Sequence, residues 1–377
     1  MIEFHKHLNL PKTKEYVLDA INSQSFNDFG KYYHKCSEFL LELTESKKII
    51  LTHSATAALE LATQLLINNN SKALIPSFTF SSTANAILKN NSQIEWGEIE
   101  LETLCLDIED VENKNKIKSS ELVIPVHYGS GAVKMDYLLS LSNLHNTEII
   151  EDAAQSLGVF IGKKHVGTFG KFGAISFHNT KFIHAGFGGA LLINDLDYFD
   201  EAMEIYNRGT NRHLFQEGKI NKYNWTNVGS SFGNSEINFA LLFSQLENLD
   251  YIVQERKKVY KRYQNMYEAI SKYNVKIQDI SNVSKSNYSS FYLLLDNLEQ
   301  RNSLIKFLKK NNIATQFHYV PLHNSPMGKK ISSINKMKIT EFASDGIIRL
   351  PIYPSLKKTE QEYIEEKVIE FFELSYL

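Results

Sequence analysis

Residues 148–195 read EIIEDAAQSLGVFIGKKHVGTFGKFGAISFHNTKFIHAGFGGALLIND. Three runs in it, 148–152 (EIIED), 174–177 (AISF) and 190–194 (ALLIN), are short, apolar and bounded by polar or glycine-rich segments, the pattern of buried strands. Polar groups collect just beyond two of them. Glu151-Asp152-Ala153-Ala154-Gln155 ends the first, and Ser176-Phe177-His178-Asn179-Thr180-Lys181 follows the second. Gly186, Gly188 and Gly189 precede the third, where they imply tight turns and close backbone approach.

Upstream, further strand-like runs at 48–52 (KIILT), 73–77 (ALIPS), 93–98 and 122–126 (LVIPV) alternate with helix-like stretches at 55–67, 83–89 and 136–145. Strands alternating with helices predict a largely parallel sheet, here of seven strands, with both faces covered. From 237 to about 273 the period changes to three and four, carried by Phe239, Leu242, Leu246, Leu249 and Val253 and then Val259, Tyr263, Met266 and Ile270. This spacing predicts a long amphipathic helix, broken near Asp250. SSFYLLLD (289–296), a helical pattern at 300–310, ATQFHYVPLH, IIRLPIY and a terminal helix from Thr359 complete a smaller α+β unit. The expected organisation is a large α/β domain over 1–250 and a small C-terminal domain over 251–377.

Composition narrows the function classes. Against 43 Asp+Glu, the 41 Lys+Arg leave no basic surplus to release counterions from a phosphate backbone, so nucleic acid is not an expected partner. Two cysteines, Cys36 and Cys105, are too few for a disulfide framework or a zinc cage, and a reducing cytoplasm is the expected compartment with no metal. The opening MIEFHKHLNLPKTKEY has charges and a proline where a signal peptide needs an apolar core, and no stretch approaches the ~18 apolar residues of a membrane span. Aromatic residues, at 12%, are numerous enough that a site or an interface is expected to take some of them.

Three polar motifs carry the chemistry. Ser54 to Ala57 (SATA) joins a strand to a helix; it reads either as an ordinary serine N-cap or as a place where backbone N–H groups and the helix dipole meet a phosphate. Asp152 stands at the carboxyl edge of the sheet, where open α/β folds bind ligands, although a helix cap accounts for it equally well. Lys181 lies just past a strand end among glycines, where a lysine would otherwise snorkel to solvent. In this order, a phosphate cradle, an acid and a Ser/Lys pair are what pyridoxal phosphate needs.

The chain resembles the DegT/DnrJ/EryC1/StrS sugar aminotransferases over essentially its whole length. Supporting segments are LTHSATAALELA, IPSFTFSSTANA, IPVHY, IEDAAQS, SFHNTK, GTNRHLF, KYNW, VGSSF, FHYVPLH and RLPIY. The stretch GTNRHLFQEGKINKYNWTNVGSS resembles the branch that makes dTDP-4-amino-4,6-dideoxygalactose. The resemblance implies the aspartate-aminotransferase-like fold type I and pyridoxal 5'-phosphate. Residue by residue, it implies Lys181 as the Schiff-base lysine, Asp152 as partner of the pyridine nitrogen, Gln155 beside the ring hydroxyl and Phe80 stacked on the ring. Ala55, Thr56 and Ser176 match the phosphate donors, and Ser231 matches a position that reaches the phosphate from the other subunit, which implies a homodimer with a shared site. His323 is implied near the sugar nucleotide, with Tyr319 a further expected substrate contact; Arg212 and Arg208 are candidates to clamp the donor's carboxylates or the nucleotide's diphosphate, although surface arginines are common. Tyr223, Trp225 and Phe232 are expected in the substrate cleft or the dimer interface.

Two departures stand out: Phe187 replaces a glutamate usual after the lysine, and Ser130, preceded by Gly129, replaces a glycine. The expected reaction is ping-pong transfer from L-glutamate to C4 of a nucleotide-linked 4-keto-6-deoxyhexose, with C3 amination the alternative. A dehydratase offshoot that carries His in place of the lysine is disfavoured by Lys181, and a noncatalytic sensor by the complete set Lys181, Asp152 and Ser176. The product's pathway is left open among lipopolysaccharide, O-antigen and antibiotic sugars.

Overall fold

The computed structural model describes residues 1–24, 26, 29–334 and 336–375. Eleven strands occur among them: β1 (Lys48–Thr52), β2 (Lys72–Pro76), β3 (Gln93–Gly97), β4 (Leu122–Val123), β5 (Glu148–Asp152), β6 (Phe160–Ile161), β7 (Lys164–His165), β8 (Phe172–Ser176), β9 (Gly189–Ile193), β10 (Phe291–Leu294) and β11 (Ile347–Leu350). Seven of these form one sheet in the order β1-β9-β8-β5-β4-β2-β3. β9 runs antiparallel to both neighbours, and the other neighbouring pairs of the sheet are parallel. The link from β8 to β9, residues 177–188, carries no helix, so it reverses the chain and does not make the helical crossover of a parallel return.

Every residue of β9 is buried, as expected of a strand with both faces covered. On one face Leu51, Ile175, Ala190 and Leu192 pack against Phe239, Leu242 and Leu246 of the helix Glu236–Leu246. On the other, Ile50, Ile75, Ile150, Ala174 and Leu191 meet Ala58, Leu61 and Ala62 of the helix Ala55–Leu66. The expected strand at 122–126 shortens to two residues because Pro125 has no N–H to donate, although the Pro125 carbonyl still accepts from Asp152 N at 2.9 Å.

The break expected near Asp250 separates the helices Glu236–Leu246 and Leu249–Ile270. The buried stripe of the longer one holds Val259, Tyr263, Met266 and Ile270 against the β10–β11 pair and the helices Leu298–Lys310 and Lys358–Ser375. A further cluster spans both parts, with Leu74, Val123 and Tyr128 touching Tyr292, Leu294 and Ile347. The first residues also reach across: Ile2 bridges Ile313, with Ile2 N donating to Asn312 O at 2.7 Å. Among the described residues no helix is long and apolar enough to cross a membrane, and no group of three His, Cys, Asp or Glu side chains is placed to hold a metal.

Candidate active site

The carboxyl ends of β5 and β8, the start of the helix Ala55–Leu66 and the strand β11 enclose a cavity of about 740 Å³. One end of it is the start of a helix. Ser54 is extended and caps the helix, its Oγ accepting from Ala57 N at 3.1 Å. The N–H groups of Ala55 and Thr56, in the first turn, have no acceptor within the helix, and both residues line the cavity. Thr56 Oγ1 lies 2.7 Å from Ser82 Oγ, and Ser176 Oγ accepts from His178 N at 3.4 Å. The serine N-cap of SATA is observed, and the helix start it holds leaves these two N–H groups available to a ligand.

Gly189 makes that arrangement possible. It pairs with Thr52 and Ser176, and a Cβ there would come within 2.3 Å of Ser54 C and 2.4 Å of Ala55 N. Gly189→Ala should cost about 1–3 kcal/mol and weaken pyridoxal phosphate binding. An unchanged urea midpoint with unchanged cofactor affinity would refute this packing argument.

Asp152 and Lys181 share the cavity with opposite needs. The Asp152 carboxylate is buried; Thr83 Oγ1 donates to Oδ2 at 2.7 Å and Ala154 N to Oδ1 at 3.1 Å. Burial pushes its pKa up, opposed by those two donors and by the charge of Lys181. Lys181 follows β8 in a turn closed by its N–H on His178 O at 2.9 Å. Burial pushes its pKa down to about 8, with Asp152 opposing and Arg349 reinforcing. At neutral pH more of this amine is in the uncharged, nucleophilic form than for an ordinary lysine.

A pH dependence follows. If Lys181 forms the Schiff base that the resemblance implies, capture of pyridoxal phosphate by the cofactor-free chain needs the uncharged amine, and its rate should fall roughly tenfold per unit below about 8 and level off above. Stopped-flow absorbance checks this, and a rate still climbing tenfold per unit at pH 9.5 would contradict it.

The cavity wall is aromatic and amide. Phe80, just before the helix Ser81–Leu88, is 59% exposed with its ring 6.3 Å from that of Tyr319. Gln155 Nε2 donates to Tyr319 Oη at 3.0 Å, and Gln155 Oε1 accepts from Gly129 N at 3.3 Å. His127 Nδ1 accepts from Val133 N at 3.2 Å, which leaves Nε2 to donate to Glu151 at 2.9 Å. Glu151 in turn accepts from the N–H groups of Gly167, Phe169 and Gly170. His127 is thus fixed as a spacer.

Of the residues singled out from sequence, Ala55, Thr56, Phe80, Asp152, Gln155, Ser176, Lys181 and Tyr319 all line this cavity. Ser231, Arg212 and His323 are not among its lining residues. Ser231 is exposed, its Oγ accepting from Arg208 at 3.2 Å, and Arg212 is an exposed first residue of the helix Arg212–Gln216. His323 is 1% exposed and packed between Ser77 Oγ at 2.7 Å and Glu341 Oε1 at 3.2 Å. It ties the segment before Phe80 to the C-terminal part and meets no open space. Phe232 is also corrected: it is buried in the core beside Ala58 and Leu61, while Tyr223 and Trp225 stay exposed. Ser130 is a buried stitch, donating to Ser290 O at 2.8 Å, and Phe187 is exposed with its ring edge on His178.

Sequence reasoning passed over Glu3, His5, Arg256, His318 and Arg349, which also line the cavity. One signal was available: Arg349 is the lone charge in the apolar run IIRLPIY.

The profile of the DegT/DnrJ/EryC1/StrS aminotransferase family matches residues 10–369. The chain is 26% identical to the GDP-perosamine synthase of Vibrio cholerae over 351 residues, 91% of each chain. It is 23% identical to the UDP-4-amino-4,6-dideoxy-N-acetyl-beta-L-altrosamine transaminase of Campylobacter jejuni over 375 residues, 98% of this chain and 97% of that one. Among solved structures, Helicobacter pylori PseC, an aminotransferase involved in the biosynthesis of pseudoaminic acid, superposes with a TM-score of 0.88 at 20% identity over 99% of both chains. The aminotransferase TlmJ from Streptoalloteichus hindustanus superposes with a TM-score of 0.88 at 19% identity over the full length of both.

Proposed function

Because the chain belongs to the DegT/DnrJ/EryC1/StrS aminotransferase family, we propose that it carries an amino group from L-glutamate to C4 of a nucleotide-linked 4-keto-6-deoxyhexose. It is a pyridoxal-phosphate-dependent sugar aminotransferase of fold type I. The observation that carries the reading is that Lys181 and the buried carboxylate of Asp152 line one cavity, beside the start of the helix Ala55–Leu66.

The residues present fit the cofactor. Asp152 is a desolvated carboxylate whose donors are neutral groups, so a protonated ring nitrogen would supply the cation its burial calls for. The N–H groups of Ala55 and Thr56 with Ser176 Oγ would hold the phosphate, Gln155 the ring hydroxyl and Phe80 one ring face. Bound there, pyridoxal phosphate supplies the electron sink that stabilises a carbanion next to nitrogen. Asp152 keeps a proton on the ring nitrogen throughout. Lys181 Nζ, uncharged in a useful fraction, takes the proton from the donor's α-carbon and later returns one to the sugar's C4.

For the sugar, C4 is supported by the 4-amino group in the name of the Campylobacter jejuni relative; C3 amination is the alternative. dTDP-4-keto-6-deoxyglucose is the expected substrate from the GTNRHLF segment, giving a dTDP-4-amino-4,6-dideoxyhexose in the cytoplasm. The relatives named for GDP- and UDP-linked sugars make those two the competing nucleotides. Ser231 and Arg212, outside this chain's own cavity, are proposed to act on the cavity of a second copy in a homodimer. The test is incubation with ¹⁵N-glutamate and dTDP-, GDP- and UDP-linked 4-keto and 3-keto sugars. Nitrogen on C4 of the dTDP sugar supports the proposal; nitrogen on C3, or a preference for GDP or UDP, replaces that part of it.

A further inference from the structure

The proposed chemistry leaves one buried cation unused. Arg256, on the helix Leu249–Ile270, is 2% exposed and lines the cavity. Its Nε donates to Tyr288 O at 3.0 Å and its Nη2 to Ser289 O at 2.6 Å. The guanidinium carbon lies over the ring of Phe182, 5.4 Å from the centroid. These partners are carbonyls and a ring face, none of which neutralises a cation, and burial together with the charge of Arg349 pushes the pKa of Arg256 down to about 9. Burying a cation without an acid costs stability, so the contribution of this arginine lies in what it holds in place.

Each of its contacts leads to the site. Phe182 directly follows Lys181, and both line the cavity. Ile183 and Ala185, next along the chain, are buried in the core, so the turn that carries Lys181 is fixed by packing after it and by Arg256 at Phe182. On the other arm, Tyr288 has a φ of +52°, a left-handed conformation uncommon for a bulky residue, and the bond from Arg256 to its carbonyl helps to hold it there. Ser289 Oγ donates to Gly129 O at 2.5 Å, and Gly129 N donates to Gln155 Oε1 at 3.3 Å. Asn287 Nδ2 donates to Gln155 O at 2.8 Å and to Leu157 O at 3.1 Å. The segment 287–289 therefore fixes Gln155 through both its side chain and its backbone.

We propose that Arg256 is a positioning residue for the cofactor site: one guanidinium aligns Lys181 through Phe182 and Gln155 through the segment 287–289. Arginine suits the task because its rigid fork reaches two successive carbonyls while its face stays on the ring, and a lysine ammonium has no such plane. A misplacement of ~1 Å at a reacting group costs about 100-fold in rate, so alignment from behind the site has a large effect. This deepens the proposed function, because it rests on Lys181 as the residue that takes the cofactor.

The test follows capture of pyridoxal phosphate by the cofactor-free protein, by stopped-flow absorbance across pH, in wild type, Arg256→Met, Arg256→Lys and Phe182→Leu. The urea midpoint of each protein is measured alongside, and wild type is labelled by borohydride after loading. Arg256→Met should slow capture roughly 10- to 100-fold at every pH while keeping the midpoint of the pH profile, because the charges that act on Lys181 are those of Asp152 and Arg349. Arg256→Lys should recover part of the rate by keeping a cation over the ring. Phe182→Leu, which leaves both carbonyl bonds of Arg256 intact, should slow capture roughly 3- to 10-fold. A merely structural anchor would lower the urea midpoint and leave capture by the folded protein at the wild-type rate, a result that overturns the proposal. If Arg256→Met does not fold, Phe182→Leu decides in the same way: slower capture supports the alignment and an unchanged rate overturns it. A label on another lysine in wild type overturns the Lys181 reading and this proposal with it, whereas a label on Lys181 beside unchanged capture in the variants overturns this proposal alone.

Discussion

Replacing Lys181 by alanine is expected to lower turnover by about 10⁴-fold or more while leaving the chain folded. Under the proposed mechanism two roles vanish together: the nucleophile that holds the cofactor and the one lysine amine on the cavity lining, which would move a proton at the donor's α-carbon. The fold should survive because Lys181 is a turn residue tied by its backbone to His178 O, with no side-chain hydrogen bond supporting a neighbour. Burial already disfavours its charge, so alanine removes an unfavourable group. Steady-state kinetics with circular dichroism check both halves. Near-wild-type turnover in a folded Lys181→Ala variant would remove the mechanism.

Asp152→Asn should separate activity from stability. Asparagine keeps the shape, its one oxygen can accept from Ala154 N, and its amide N–H can donate to Thr83 Oγ1, whose own proton turns to Thr79; but it carries no charge to hold a proton on the pyridine nitrogen. Turnover should fall about 10²- to 10³-fold, the scale for losing one preorganised electrostatic contact. Stability of the cofactor-free chain should move in the opposite direction. The folded pKa of Asp152 is raised, so between the model-peptide value of 3.8 and the folded value the native state binds more protons than the unfolded state. Its contribution therefore falls as pH rises through that window, and at pH 7 the ionised group is a net cost. The asparagine variant should be at least as stable as wild type at pH 7, and that advantage should disappear toward pH 3.8. A variant less stable than wild type at pH 7 would show that the donors of Asp152 outweigh its desolvation.

The parts of the molecule that read clearly from sequence are those whose signal is local. Short apolar runs ended by polar residues mark β1, β5, β8 and β9 within a residue or two, because a buried strand needs little else. Lys181, Asp152 and Ser54 are visible because each sits at a strand end. What stays hidden depends on distant segments meeting. The direction of β9 is not encoded in its composition, since five buried apolar residues read the same either way. Arg256 and Arg349 reach one cavity from a helix and a strand more than ninety positions apart, with Glu3 and His5 arriving from the opposite end of the chain. His323 illustrates the converse: its motif suggests a ligand, yet Ser77 and Glu341 converge on it from 246 and 18 positions away and leave it packed.

The central claim is that Lys181 is the residue that takes the cofactor. Borohydride reduction of the pyridoxal-phosphate-loaded protein, followed by proteolysis and peptide mass spectrometry, tests it directly. The account predicts one phosphopyridoxyl group per chain, on the peptide that contains Lys181; a label on another lysine, or none after reduction of a protein with visible cofactor absorbance, would contradict it.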